Sequence, residues 1–213
     1  MSKPAILGGI PENSKIFPPY NTIGKEEKDA VMAVLDSGEL SGFVANDVPQ
    51  FYGGQQVQAL EKEFCNHFKV KYAVSVNSAT SGIYCMLMAM GVGPGDEVIT
   101  SPYTMHATAS SILQCGAVPI FADIEEDTFG LDPDSVQKNI TENTKGILAV
   151  NIFGHAAMLN ELKKVADNNH LWLLEDNAQT PAGLAEGGVY TATIGKAGGF
   201  SFNRHKTMQR GEG

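Results

Sequence analysis

From Tyr72 to Asp176 short apolar runs alternate with segments of helical pattern, and this alternation limits the possible folds more than any other feature. "YAVSV" reads as a buried strand, and "SATSGIYCMLMAMG" as a helix that opens on small residues and closes at Gly91. "EVIT" is a strand, "TMHATASSILQCG" a helix stopped by Gly116, and "AVPIFAD" a strand. "DPDSVQKNI" predicts a helix with Asp132 as N-cap and Pro133 at its first position. "GILAVNIFG" is a strand, "NELKKVADNN" a helix and "LWLLED" a strand, and "FSFNRHK" places a lone lysine after a short aromatic strand. Parallel neighbours need a crossover connection, so this order predicts an α/β chain whose mostly parallel central sheet has helices on both faces.

Upstream, Pro11, Pro18 and Pro19 make residues 1–24 an irregular arm. "KEEKDAVMAVLDSG" predicts a helix, with acidic residues early and Gly38 late. "GELSGFVANDVPQFYGG" is a glycine-punctuated loop, and Val57, Leu60, Phe64 and Phe68 then form one apolar helical stripe. Residues 25–213 are expected to form one large domain, a size that supports a buried core.

With 43% hydrophobic and 18% charged residues the composition is that of a globular protein. The formal charge of −9 speaks against a nucleic-acid surface. The longest apolar runs fall short of a signal core or a membrane span, so a cytoplasmic protein is expected. Cys65, Cys85 and Cys115 are odd in number and widely spaced, and are expected to be reduced, buried thiols.

Ligands of such a sheet sit at the carboxyl ends of its strands. The informative segments are therefore Asn77–Thr80, Ser101–His106, Asn151–His155, Asp176–Gln179 and Asn203–Lys206. In "VNSATSG" a strand runs into a helix whose first N–H groups, at Ala79 and Thr80, are free to meet a phosphate. An ordinary serine cap at Ser78 explains the same residues. "GVGPGDE" follows a helix and has Asp96 where a dinucleotide motif needs its third glycine, and "TIGKAGG" has Ala197 where a P-loop needs a hydroxyl. The five histidines lack metal-ligand spacing, so no metal is expected. A carboxylate at the end of "LWLLED" needs a cationic partner or hydrogen bonds. A semi-buried lysine can act as a Schiff-base nucleophile. Asp176 and Lys206 with a held phosphate would suit pyridoxal 5′-phosphate, whose ring nitrogen wants a carboxylate and whose aldehyde wants an amine. A structural salt bridge is the competing reading.

The set "NSATSG", "GPGDEVITSPYTMHAT", "GAVPIFADI", "LDPDSV", "TKGILAVNIFGH", "EDNAQ" and "FSFNRHK….GEG" resembles the DegT/DnrJ/EryC1/StrS family from about Gly24 to Gly213. The resemblance implies the large domain of a fold-type I pyridoxal-phosphate transferase. It implies that Lys206 binds the cofactor and shuttles a proton, that Asp176 pairs with the ring nitrogen and that Gln179 lies near the 3-hydroxyl. Ser78, Ala79 and Ser201 would hold the phosphate, with Thr80 at the same helix start. Met105 stands where the family usually stacks an aromatic ring, with Tyr103 or His106 as substitutes, and "NIFGHAAM" replaces the commoner "HLYGQPAD". The implied reaction moves an amino group, usually from L-glutamate, to a keto group of a nucleotide-linked sugar for polysaccharide or secondary-metabolite synthesis, in a homodimer. Family members continue beyond "GEG", completing the sheet and adding a small C-terminal domain. The 213 residues are therefore expected to carry the cofactor chemistry without turning over alone. The alternatives are a cofactor-binding module without activity and a sugar 3-dehydratase. The dehydratase branch has histidine in place of the lysine, and His205 is adjacent.

Overall fold

The computed structural model describes residues 3–13, 15–16, 18, 21–43 and 48–210. Pro19, residues 44–47 of the glycine-punctuated loop and the "GEG" of residues 211–213 lie outside these. The chain divides into two compact units, residues 1–58 and 59–213. The first contains a 3-10 turn, Ala5–Leu7, the helix α1, Lys25–Ser37, and a second 3-10 turn, Pro49–Tyr52. Glu27 reaches back to the Gly24 N–H at 2.7 Å, and Gly38 ends α1 in the left-handed region at φ 70°. Helix α2, Gln55–Phe68, runs across the boundary between the units.

The second unit carries α3 (Ala79–Ala89), β1 (Glu97–Thr100), α4 (Ala107–Gln114), β2 (Val118–Phe121) and α5 (Pro133–Lys138). It continues with β3 (Thr144–Val150), α6 (Leu159–Asn168), β4 (Trp172–Asp176) and β5 (Ala197–Gly199). The five strands pair in the order β2-β1-β3-β4-β5, every pair parallel. Asp132 caps α5 as expected, accepting the Asp134 N–H at 3.0 Å with Pro133 in the first position.

Side chains along a strand alternate between faces, and two separate cores follow from that. Ile99, Ile147, Ala149 and Leu173 pack with Val136 of α5 and Leu159 and Leu162 of α6. Their neighbours Val98, Leu148 and Leu174 pack with Ile83 and Leu87 of α3 and Ile112 of α4 on the other face. The step from β1 to β2 runs one way along the sheet and the steps to β3 and β4 run the other. Right-handed crossovers then put α4 on one face and α5 and α6 on the other. The order reverses between β1 and β3, which opens a crevice at their carboxyl ends.

Gly146 in β3 lies opposite Trp172 in β4, and a Cβ there would meet the indole at 2.1 Å. Gly146→Ala is expected to cost about 1–3 kcal/mol by overpacking, read as a lower urea midpoint with an unchanged m-value.

Several expectations need correction. "YAVSV" is not a strand: Tyr72 and Val74 are exposed, and the Ser75 N–H goes to the Glu61 carboxylate at 2.7 Å. An apolar run becomes a strand only beside a partner ladder, and among the described residues none lies along it. The strand expected in "FSFNRHK" is instead β5, the "AGG" just before it, because the ladder to β4 ends at Gly199. Strand β3 stops at Val150, before "NIFG", and α4 starts at Ala107 rather than at Thr104. Of the three free cysteines only Cys115 is buried, while Cys85 lies on the exposed side of α3.

Candidate active site

Asp176 ends β4 on the α3/α4 face of the sheet and is only 6% exposed. Its Oδ2 accepts the Thr108 hydroxyl of α4 at 2.8 Å, and its Oδ1 accepts the Ala178 N–H at 3.1 Å. Thr108 is fully buried and meets Thr104 one helical turn away, Oγ1 to Oγ1 3.0 Å. Burial pushes the Asp176 carboxyl above the usual range, against the pull of these two hydrogen bonds and of the nearby Lys206 charge.

Lys206 lies seven residues beyond β5, in a turn where its N–H donates to the Asn203 carbonyl at 2.8 Å. Partial burial lowers its pKa, and the Asp176 charge opposes that shift. The amine faces a cavity of about 310 Å³ lined by Ala178, Gln179, His205, Lys206 and Thr207. The turn is closed behind the lysine, where the Arg210 N–H donates to the Phe202 carbonyl at 2.9 Å. Phe202 and Phe200 meet Phe64 of α2 at ring distances of 5.7 and 5.4 Å, so aromatic packing holds the approach to the lysine.

Ser78 is the N-cap of α3, its Oγ accepting the Ser81 N–H at 3.1 Å. The cap reading therefore holds for its side chain. The N–H groups of Ala79 and Thr80, in the first turn, have no intrahelical acceptor and remain available to an anion. Ser111 donates to the Thr80 carbonyl at 3.2 Å, one turn along α4 from Thr108. One helix thus ties the start of α3 to Asp176. Ser201 is buried just past β5, its Oγ accepting the Asn203 N–H at 3.4 Å. Gln179 lines the lysine cavity while its Oε1 accepts the Phe153 N–H at 3.2 Å.

Met105 is exposed just before α4 and free to pack on a flat ring. The Tyr103 ring is engaged with Phe129 and Phe153 at 6.1 and 5.9 Å, and His106 is the N-cap residue of α4. His155 lies apart from the lysine, in a second cavity of about 330 Å³ beside the start of α6. Among the described residues no cluster of histidine, cysteine and carboxylate groups could hold a metal, and no helix is long and apolar enough to cross a membrane.

Sequence reasoning missed Thr108 and Glu175. Thr108 shares a helix face with Thr104, a weak signal that points to no partner. Glu175 is as acidic as its neighbour, and only the parity of the strand separates the two.

The parallel α/β sheet thus gathers a buried carboxylate, a half-buried lysine and a free helix start at its carboxyl edge, where ligands of such sheets bind. The profile of the DegT/DnrJ/EryC1/StrS aminotransferase family matches residues 21–213, and the chain belongs to that family. It is 40% identical over 206 residues to the spore coat polysaccharide biosynthesis protein SpsC of Bacillus subtilis, covering 92% of this chain and 48% of that protein. GDP-perosamine synthase of Vibrio cholerae is 36% identical over 160 residues, covering 75% of this chain and 43% of the relative. The L-glutamine:2-deoxy-scyllo-inosose aminotransferase of Streptomyces kanamyceticus is 36% identical, with 100% of this chain and 48% of the relative covered. Among solved structures, an aminotransferase from Psychrobacter cryohalolentis superposes with a TM-score of 0.84 at 33% identity, covering 92% of this chain and 48% of that one. NtdA from Bacillus subtilis, solved with bound PMP, superposes with a TM-score of 0.74 at 30% identity, covering 89% and 41%. The chain spans about half the length of the curated relatives it matches.

Proposed function

We propose that the protein is a pyridoxal-phosphate-dependent aminotransferase that moves an amino group from an amino acid, L-glutamate in the first instance, to a keto group of a nucleotide-linked sugar. The observation that carries this reading is the cavity that Lys206 lines with Ala178 and Gln179, two and three residues beyond the buried Asp176 whose charge acts on the lysine. The relatives named for spore coat polysaccharide and for GDP-perosamine support the sugar acceptor. The relative named for L-glutamine and an inosose marks the donor and the cyclitol to be screened beside them. The family resemblance further suggests a homodimer working in the cytoplasm.

The residues fit the cofactor. The free N–H groups of Ala79 and Thr80, with Ser78 and Ser201, would hold the phosphate; Met105 would lie on the ring and Gln179 beside the 3-hydroxyl. Bound there, pyridoxal phosphate supplies an electron sink for a carbanion. Asp176, kept dry under Thr108, would hold a proton on the ring nitrogen. Lys206 would supply the amine that captures the cofactor. It would then take a proton from the substrate carbon and return it, a task helped by the burial that disfavours its charged form.

The test is to mix the purified chain with pyridoxal phosphate, record the visible spectrum, reduce with borohydride and map the labelled peptide. A yellow protein labelled at Lys206 is the expected result. No label at Lys206, in this chain and in a polypeptide extended to the length of its relatives, would sink the reading.

A further inference from the structure

Strand β4 ends in two carboxylates, and only Asp176 faces the lysine. Glu175 points to the other face, fully buried, and among the described residues no ion pair includes it. Four donors converge on it instead. Its Oε1 accepts the Ile194 and Gly195 N–H groups at 2.9 and 2.8 Å, and its Oε2 accepts the Ala192 N–H at 2.6 Å and Asn151 Nδ2 at 3.2 Å. A glutamate side chain presents two acceptor oxygens to these four donors, two to each, where a glutamine would present one oxygen and an NH₂.

The donors lie where they control the catalytic pair. Residues 192–195 form the turn that launches β5, and β5 leads to Lys206. Asn151, fully buried just beyond β3, donates its Nδ2 also to Asn177 Oδ1 at 3.1 Å, and its Oδ1 accepts the Ala157 N–H at 2.9 Å. Its own N–H donates to the Asp176 carbonyl at 3.0 Å. Asn177, also fully buried, gives its N–H to the Gly199 carbonyl at 2.8 Å and its Nδ2 to the Thr180 carbonyl at 2.8 Å. The peptide group that joins Asp176 to Asn177 is therefore pinned on both edges, its carbonyl to the residue after β3 and its N–H to the end of β5.

We propose that Glu175, Asn151 and Asn177 form a buried positioning network that sets the separation of Asp176 and Lys206 from the opposite face of the sheet. The network is continuous, with no gap between the ends of β3, β4 and β5, and it touches neither the lysine cavity nor the α3 start. These are positioning residues, not catalytic ones. The inference rests on the aminotransferase reading only for the use it gives the pair.

The experiment follows the pH dependence of Lys206 modification by trinitrobenzenesulfonate in the full chain without cofactor, read by peptide mass mapping. Among the described residues the ionisable groups beside the Lys206 amine are Asp176 from β4 and His205 in its own turn. The profile is therefore read above about pH 7.5, past the ordinary imidazole range. Asp176→Asn is the reference: removing the carboxylate charge lowers the lysine midpoint and speeds labelling at pH 8. Glu175→Gln keeps the volume but turns two donors against an amide NH₂. If the network positions the pair, Glu175→Gln and Asn151→Ala each lower the midpoint as the reference does and raise the pH 8 rate several-fold. An unchanged midpoint overturns the proposal. So does a midpoint that climbs toward an ordinary exposed lysine, because the network would then only hold the fold together. Should Glu175→Gln fail to unfold cooperatively in urea, Asn151→Ala decides alone. The readout uses no cofactor, so its failure and the failure of the proposed activity are separate results.

Discussion

Replacing Lys206 with arginine is expected to abolish borohydride-fixed cofactor on the peptide that carries it, while the chain keeps its fold and its charge. Arginine has no primary amine to capture an aldehyde and stays protonated at any working pH, so it can neither bind covalently nor take a proton. If the proposed aminotransferase reaction is assayed in a polypeptide extended to the length of the relatives, the loss of positioned proton transfer alone corresponds to about 10²–10⁴-fold in turnover. Lys206 is partly exposed at the tip of a turn, so little packing is lost and the urea midpoint should stay where it was. Label retained on that peptide, or activity within tenfold of the native protein, would remove Lys206 from the chemistry.

Asp176→Asn is expected to be inactive and, at neutral pH, more stable. The amide can keep both contacts, its oxygen accepting the Ala178 N–H and its NH₂ meeting the Thr108 hydroxyl. The charge is lost, and with it the partner proposed for the ring nitrogen. Removing one preorganised charged partner at a reacting centre costs about 10²–10³-fold. The stability effect has a definite sign. Burial raises the Asp176 pKa above its ordinary 3.8, so above that pH the folded chain retains a proton that the unfolded chain has released. Native stability then falls as pH rises from the ordinary value through the raised one, by at most about 1.4 kcal/mol per pH unit. The asparagine variant lacks this slope. Urea midpoints of the two proteins should therefore lie close together near pH 4 and separate toward pH 7 in favour of the variant. A native protein that gains on the variant with rising pH would show that Asp176 is held as a stabilising carboxylate, and the argument from burial would fail.

Both effects come from one arrangement: a carboxylate held where water is scarce and a half-buried amine whose charge acts on it. Thr108 steadies Asp176 from α4, and the aromatic contacts of Phe200 and Phe202 with Phe64 steady the approach to Lys206. Neither contact could be read from the chain, because each joins residues far apart in sequence through side chains with many possible partners.

Much of the rest was legible. The order of β1 to β4 and of the helices between them follows from alternating apolar runs and glycine or proline punctuation, because local sterics and burial act on neighbours in the chain. The Asp132 cap with Pro133 behind it was visible for the same reason. Asp176 and Lys206 stood out because each sits just beyond an apolar stretch, where a parallel sheet exposes its ligand edge. "YAVSV" was misread because an apolar run carries no information about whether a neighbouring strand is there to pair with it. "FSF" was misread because aromatic residues can serve α2 packing as well as a ladder, and here they do the former.

By itself the sequence determined a parallel α/β sheet, the carboxyl ends at which its chemistry gathers, and a carboxylate and a lysine among the candidates there. Only the tertiary structure decided which of the adjacent acids meets the lysine. Both faces of this sheet are buried, so Glu175 and Asp176 follow the same apolar run without a difference in pattern. The alternation of side chains along β4 sends Asp176 to Thr108 of α4 and Glu175 to the turn before β5, and that parity is fixed by the register of the strand against its neighbours.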